Sequence, residues 1–212
     1  METKEEIMKE WNKYFIPDTN VLINNLGITN EEELFNRELE ITFEKLLQLY
    51  KNPIKMNFDA RHLKEIHKYL FCDIYPFAGE YRKVYMQKNN SYFAPVSQID
   101  FRVNYVLDQM SNEVNHISTL YDFACFLAGS YIELLQIHPF REGNGRTIRE
   151  FIREYANDKS KNLPFGEVSF SWANIDSEAI NDIIDKSVAF KSIIELEFLK
   201  ALEIVSTDRI VK

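Results

Sequence analysis

A long apolar segment that runs directly into a glycine-rich loop restricts the fold of this chain more than any other feature. Helical periodicity with little polar surface extends from Leu120 to Ile137, which predicts a helix buried at the centre of the protein. In the loop that follows, Gly143 and Gly145 flank Asn144, and a second helix with apolar residues at helical spacing begins at once. We therefore expect a fold built around two helices joined by a tight turn.

The start of the second helix has the features of a phosphate site. The two glycines let the backbone bend and bring its N–H groups close to a ligand, where a Cβ atom would obstruct it. The loop also presents the positive end of a helix to an anion. Arg146 and Arg149 lie three residues apart, on one side of the helix mouth. These residues are predicted to face the same anion.

Two further residues add chemistry to this predicted anion site. Glu142 is a hard oxygen ligand beside the glycine loop, and Mg²⁺ binds through one or two carboxylates plus substrate phosphates. His138 directly follows the apolar segment. Its ordinary pKa lies close to neutrality, so it is suited to act as general base for a hydroxyl that attacks phosphorus.

The stretch from His138 to Arg149 fits the pattern H-x-F-x-[D/E]-G-N-G-R-x-x-R at every defined position, which is the signature of the Fic family. The chain thus resembles a Fic-domain nucleotidyltransferase. Such proteins typically move AMP from ATP onto a Ser, Thr or Tyr hydroxyl of another protein, a reaction called AMPylation. The resemblance implies a Fic-fold helical domain, with ATP as co-substrate and Mg²⁺ as cofactor.

The resemblance also implies individual roles. His138 takes the proton of the target hydroxyl, Phe140 packs inward to hold the loop, and Glu142 binds the Mg²⁺ that bridges the α- and β-phosphates. Transfers of this type are catalysed mostly by positioning and electrostatics. The remaining motif residues are expected to bind ATP: Gly143, Asn144 and Gly145 cradle the phosphates, Arg146 stabilises their charge, and Arg149 reaches the γ-phosphate.

A change of period after the first third of the chain predicts the only clear β element. From Tyr81 to Ala94, two β-prone arms flank the turn signal from Lys88 to Ser91, which is typical of a hairpin. An ordinary surface hairpin is one interpretation. In the Fic family the preceding pattern leads into a flap that holds the target segment by strand pairing. Lys88 and Phe93 are then target-docking residues. The matching positions are Asp73, Tyr75, Phe77, Ala78, Gly79 and Arg82.

The predicted fold class is mainly α, with one β-hairpin flap. Residues 1–56 are expected to form an N-terminal arm and a helix that packs on the core, and residues 57–212 the Fic core with its C-terminal helices, in a single compact domain. Thr29 is predicted to cap the early helix, whose apolar face is formed by Leu34, Leu39, Phe43, Leu46, Leu47 and Tyr50. Two helices are predicted near the C-terminus, at 177–190 and 192–204. His62 and His67 are interpreted as structural or surface residues.

Composition excludes several classes of protein. A net charge of −8 and a pI near 5.1 argue against direct nucleic-acid binding, which needs a basic surface. Cys72 and Cys125 are the only cysteines, too few for a disulfide framework, so a reducing cytoplasm is the expected location. No signal-peptide pattern opens the chain, and no uncharged run is long enough to span a bilayer. We therefore expect no membrane partner.

Two alternatives to AMP transfer stay open at this point. The chain could be a Fic-fold module that binds nucleotide and serves in regulated interactions, with little transfer; the intact His138 and Glu142 count against this. It could also use another donor, such as UTP, GTP or a CDP-linked group, or transfer phosphate from inverted ATP. The complete second arginine, Arg149, and the Gly-Asn-Gly loop favour AMP.

The partners implied by the resemblance are a protein target and an inhibitor. Many Fic proteins are restrained by a helix bearing [Ser/Thr]-x-x-x-Glu-[Gly/Asn], whose glutamate pairs with the second motif arginine. Only the stretch from Thr29 to Glu33 has this spacing, and Leu34 follows it. We therefore expect a toxin held by a small antitoxin that supplies the inhibitory helix in trans. Small bacterial Fic toxins often modify type II topoisomerases, so DNA gyrase or topoisomerase IV is the first expected target.

Overall fold

A computed structural model describes residues 4–88, 91–176 and 191–205 of the chain, and this part is mainly helical, as predicted. The helices are α1 (Lys4–Asn12), α2 (Glu31–Lys51), α3 (Ala60–Phe71), α4 (Ile99–Glu113), α5 (Leu120–Ile137), α6 (Asn144–Lys159) and α7 (Lys191–Ala201). The strands are β1 (Gln87–Lys88), β2 (Ser91–Tyr92), β3 (Val168–Phe170) and β4 (Leu202–Ile204). The predicted helix over 177–190 lies outside the described residues.

The central helix is α5, with the bounds that the sequence predicts. It packs against α4, α6 and α7. Its apolar side chains fill the core, including Phe123, Leu127 and Tyr131. By length and composition, α5 is also apolar enough to cross a bilayer, although Asp122 and Glu133 interrupt it. Its packing against three helices accounts for the apolar composition.

Side-chain caps fix where three of the helices begin. Asp59 accepts hydrogen bonds from the backbone N–H groups at the start of α3, and Thr119 accepts one from Asp122 N at the start of α5. The cap of α2 is Asn30, which accepts from Glu33 N at 2.9 Å. The prediction of Thr29 as this cap was therefore wrong by one residue, because Asn and Thr are both good N-caps and stand next to each other.

The orientation of α2 differs from the prediction. Its buried face carries the polar residues Glu38 and Thr42 together with Leu34 and Leu49. Four of the six apolar residues that were expected to face the core are exposed instead. They are Leu39, Phe43, Leu47 and Tyr50, and Phe35 lies on the same exposed face. The other two, Leu34 and Leu46, do pack against the core, so the predicted face is correct only in part, and Glu38 forms a salt bridge with Arg146 in the buried part of the helix.

The predicted hairpin is formed by β1 and β2, in which Gln87 pairs with Tyr92 and Lys88 with Ser91. A second antiparallel pair, β3 with β4, was not predicted. Its second strand follows α7 directly, so the helix predicted over 192–204 ends at Ala201. Both strands of this pair have three residues, too few for a recognisable alternation of apolar and polar side chains.

Candidate active site

The predicted base stands at the C-terminal end of α5. His138 is the C-cap residue, with φ 51° and ψ 61° in the left-handed region, and its N–H donates to Leu134 O at 3.1 Å. A left-handed residue ends a helix abruptly and turns the chain away from its axis. For a residue with a Cβ this conformation is uncommon, and such residues concentrate at functional sites. His138 is thus fixed by the rigid central helix.

The imidazole of His138 is half-buried beneath the hairpin. Its ring stacks on Phe93, with 3.9 Å between ring centroids and 9° between planes. Burial lowers the pKa of His138 to about 4, and the positive charges of Arg82 and Lys88 act in the same direction. At neutral pH the imidazole is therefore uncharged. A neutral imidazole is the form that accepts a proton.

Arg82 connects the catalytic loop to the base of the hairpin. Its buried guanidinium donates to His138 O at 2.7 Å, to Val84 O at 2.7 Å and to Ala94 O at 2.6 Å. Its backbone N–H donates to Pro139 O at 2.8 Å. The sequence identified Arg82 only as a match to a family pattern. In the structure it determines how the hairpin sits over the histidine.

His67 holds the loop from the other side. Its Nδ1 accepts the N–H of Gly79 at 2.7 Å, and its Nε2 lies 3.0 Å from Glu142 O. The ring also stacks on Phe140 at 3.9 Å, and Phe140 is fully buried. Because Nδ1 accepts, the proton of the neutral ring lies on Nε2 and is donated to Glu142 O. The interpretation of His67 as structural is correct, but sequence gave no sign that it supports the predicted metal ligand.

Stability is expected to depend on pH through His67. Burial lowers its pKa to about 4 from 6.5, so the unfolded state binds more protons between these values and stability falls as pH decreases through this range. Between pH 7 and pH 5 the free energy of unfolding is expected to fall by about 2 kcal/mol through His67. Urea unfolding of wild type and His67→Gln at both pH values measures this loss of stability. The variant should lose about 2 kcal/mol less than wild type, whereas the exposed control His116→Gln should match wild type. Equal losses in all three would contradict the assignment.

The glycine loop is fixed by close packing and by one amide side chain. Gly143 has φ +75°, and a Cβ atom there would lie 2.2 Å from the ring of Phe71. Asn144 is buried, and its side chain accepts from Phe140 N and donates to Phe140 O, both at 2.8 Å. The Asn144 side chain thus closes the loop, and the predicted place of Asn144 in the phosphate cradle stays a prediction. The backbone N–H groups of the first turn of α6 are left to face a ligand.

Arg149 lies over the second glycine. A Cβ atom on Gly145 would approach Arg149 Nη1 to 3.2 Å. The carbonyl of Arg149 accepts the indole N–H of Trp172 at 2.9 Å. Burial raises the pKa of Tyr131, and the adjacent Arg149 opposes that rise. The side chain of Arg149 is partly exposed, and among the described residues no carboxylate lies within salt-bridge distance of it.

Arg146 faces α2. Its guanidinium forms a salt bridge with the buried carboxylate of Glu38, donates to Thr42 Oγ1 at 3.1 Å, and lies 4.9 Å above the ring of Phe71. One of its nitrogens is 3.7 Å from Glu142 Oε1. Arg146 is thus positioned next to the predicted metal ligand, by residues that the sequence did not suggest.

Glu142 has the properties of a single carboxylate ligand. Its Oε1 accepts from Gly143 N at 2.8 Å, and 40% of the side chain is exposed. Burial raises its pKa, and the negative charge of Glu38 acts in the same direction. Within the described ranges no group of three or more His, Cys, Asp or Glu side chains could hold a metal ion. One accessible carboxylate beside a phosphate cradle suits Mg²⁺ that is bound together with nucleotide phosphates.

The two predicted flap residues differ in position. Lys88 is exposed on β1, where a target chain can reach it. Phe93 is buried against His138, and its N–H donates to Met86 O at 3.2 Å. Phe93 therefore covers the catalytic ring, and its predicted contact with a target chain stays a prediction.

Known proteins share this sequence pattern. A sequence model of the Fic/DOC family matches residues 57–156. Protein adenylyltransferase VbhT of Bartonella schoenbuchensis is 39% identical over 158 residues, which are 73% of this chain and 33% of VbhT. A probable protein adenylyltransferase Fic of Salmonella typhimurium is 28% identical over 144 residues, 68% of this chain and 71% of that protein. This chain thus spans about a third of the length of VbhT.

The fold also has solved relatives. The N-terminal Fic domain of a VirB-translocated Bep effector protein from Bartonella quintana, whose crystal structure contains ADP, superimposes with a TM-score of 0.79. The identity is 21%, and the match covers 91% of this chain and 95% of that chain. The predicted family resemblance and the predicted fold are confirmed. The names of the sequence relatives agree with the predicted nucleotidyltransferase class.

Proposed function

We propose that this chain, whose residues 57–156 form a Fic/DOC family domain, is a protein adenylyltransferase, which moves AMP from ATP to a Ser, Thr or Tyr hydroxyl of a target protein. The main support for this proposal is the arrangement of the loop between α5 and α6. It places the neutral imidazole of His138, the accessible carboxylate of Glu142 and the N-terminus of α6 within a few residues of one another. A hydroxyl nucleophile needs such a base, and a triphosphate needs such an anion site.

The proposed reaction is an in-line displacement at the α-phosphorus of ATP. The target hydroxyl gives its proton to His138 as its oxygen bonds to phosphorus, and the bond to the β-phosphate oxygen breaks to release pyrophosphate. The N–H groups at the start of α6, with Arg146 and Arg149, stabilise the phosphate charge. Glu142 is the residue that would hold Mg²⁺, which neutralises phosphate charge when bound.

The names of the sequence relatives support nucleotide binding. Two sequence relatives are named as adenylyltransferases, one of them as probable, and a structural neighbour was solved with ADP. Because the neighbour is only 21% identical, its ligand is evidence about that protein alone. In this chain, the guanidinium of Arg149 beside Gly145 supports a nucleoside triphosphate as the donor, since a third phosphate needs a cation beyond the loop.

The proposal is tested by incubating the protein with a bacterial lysate, Mg²⁺ and ATP that is labelled in the adenine ring. Labelled protein bands are expected with the wild-type chain and not when Mg²⁺ is removed by a chelator. Parallel reactions with labelled UTP, GTP and a CDP-linked donor test the alternative donors, because none of the described contacts selects the base. Mass spectrometry of the labelled bands identifies the target and the modified residue. A lysate without labelled protein under any donor would favour the interaction-module alternative.

The flap prediction separates target docking from nucleotide binding. Lys88→Ala and Phe93→Ala are expected to reduce target modification about tenfold or more while changing ATP affinity less than about threefold. The reason is that Lys88 lies on the hairpin and Phe93 stacks on the ring of His138, so neither side chain belongs to the phosphate loop. Calorimetry gives ATP affinity and a labelling assay gives transfer. Tyr92→Ala, on the opposite strand and largely exposed, serves as a matched control. Equal loss of both properties would reduce the hairpin to a structural feature.

The proposal also includes an inhibitor of the enzyme and the protein that the enzyme modifies. We expect a separate antitoxin to place a glutamate on Arg149, and the absence of a carboxylate partner for Arg149 among the described residues is compatible with that arrangement. Expression of the chain alone in a bacterium should then inhibit growth. DNA gyrase and topoisomerase IV are the first target proteins to test in the labelling assay. Normal growth, with full activity of the purified protein, would argue against toxicity.

A further inference from the structure

The polar face of α2 is the part of the molecule that the family pattern does not explain. This helix lies outside residues 57–156, the range of the family match. It buries the carboxylate of Glu38 and the hydroxyl of Thr42, and it exposes Phe35, Phe43 and other large apolar side chains. Burying a carboxylate is costly unless it is paired and hydrogen-bonded. The partners of Glu38 must therefore be important for how this helix packs.

Both carboxylate oxygens of Glu38 contact residues of the two sequence motifs. Oε1 accepts from Arg146 in the first turn of α6, and Oε2 accepts the hydroxyl of Tyr75, which precedes the hairpin. Thr42, one turn further along α2, accepts a second hydrogen bond from Arg146 at 3.1 Å. Two side chains of one helix thus hold one guanidinium through two different nitrogens.

This arrangement fixes the direction of the Arg146 guanidinium. The ring of Phe71 lies beneath it at 4.9 Å, and the carboxylate of Glu142 lies 3.7 Å away on the open side. An arginine that is held in this way needs little reorganisation when charge develops on a phosphate group. Because Glu38 and Thr42 of α2 hold its guanidinium, Arg146 can stay beside Glu142 without forming a close salt bridge with the Glu142 carboxylate.

We infer that Glu38 and Thr42 are positioning residues, which hold Arg146 of the phosphate site in its working orientation from a helix outside the matched family domain. The inference rests on the proposed adenylyl transfer. It explains why α2 packs its polar face inward, and it assigns a catalytic consequence to the N-terminal part of the chain.

Transfer kinetics test the positioning role. In Glu38→Gln the carboxylate charge is lost, which leaves more positive charge near the phosphates, so ATP affinity should stay within threefold of wild type or become tighter. The transfer rate at saturating ATP should fall at least tenfold, because Arg146 is no longer oriented. Thr42→Val should likewise keep its ATP affinity and lose transfer rate, but to a smaller extent. Thr42→Ser, which keeps the hydroxyl, should behave as wild type. Glu40→Gln, on the exposed face of the same helix, is the control.

An NMR measurement keeps the test independent of transfer. The Nε–Hε signal of Arg146, assigned with Arg146→Lys, should report a rigid side chain in wild type and a mobile one in Glu38→Gln and Thr42→Val. If wild type transfers no AMP, the proposed function fails, and this signal still decides whether α2 holds the arginine. The inference is overturned by an Arg146 signal that is unchanged in both variants, by parallel loss of affinity and rate, or by a rate that rises in Glu38→Gln.

Discussion

Replacing His138 with alanine is expected to lower the rate of AMP transfer by about 10²–10⁴-fold, the contribution of a positioned general base. The structure gives this side chain the two properties that a base needs. Its conformation is fixed at the end of α5, with φ 51°, and burial holds its pKa near 4, so the ring is neutral at the pH of the assay. Initial rates of label transfer to a target protein measure the effect.

ATP binding is expected to survive this substitution, because the imidazole of His138 lies on the side of the hairpin and not among the phosphate ligands. Calorimetry with Mg²⁺ and ATP should give an affinity within about threefold of wild type. His116→Ala, at an exposed histidine outside the site, is the matched control and should transfer normally. If His138→Ala retained most of the transfer rate, another group would have to accept the proton of the target hydroxyl.

Gly143→Ala is expected to destabilise the protein by between about 2 and 6 kcal/mol and to abolish ATP binding. Two effects add at this position: a Cβ residue at φ +75° is strained, and the added atom would lie 2.2 Å from the ring of Phe71, which must move. Displacement of this ring also disturbs Arg146, which lies above it. Urea unfolding and calorimetry measure the two losses.

Gly166→Ala separates the two effects. Gly166 also has a positive φ, at +91°, but a Cβ atom there meets nothing within 4 Å, so only the backbone strain of about 1–3 kcal/mol should appear. In a double-mutant cycle, Phe71→Leu should offset part of the cost of Gly143→Ala, because the two changes share one contact. Equal losses at the two glycines would show that the packing against Phe71 is unimportant.

The candidate-site residues that could be predicted belong to one continuous stretch. The segment that ends in His138, the glycine loop and the start of α6 follow one another in sequence, so their order alone indicates a candidate site. The central helix was predicted with its observed bounds because its apolar pattern is long and is ended by the loop. Fold class could be predicted for the same reason, since long helices give the strongest periodic signal.

The contacts that were missed join distant segments of the chain. Glu38, His67 and Arg82 approach the loop from α2, from α3 and from the hairpin. No local spacing relates them to the motif, so only the packed structure shows their contacts. The buried face of α2 is a related case, because Glu38 on that face pairs with Arg146 of α6, a contact that the hydrophobic pattern of α2 does not reveal. The pairing of β3 with β4 joins two three-residue strands across α7, which sequence periodicity does not detect.

At the loop between α5 and α6, AMP rather than phosphate is expected to pass from ATP to a protein hydroxyl. The protein and its target are incubated with ATP that carries the isotope in the α-phosphate and, in a parallel reaction, in the γ-phosphate. We expect α-label to enter the target with wild type and not with His138→Ala, and γ-label not to enter. Transfer of γ-label, or α-label that enters equally with His138→Ala, would show that the proposed reaction is wrong.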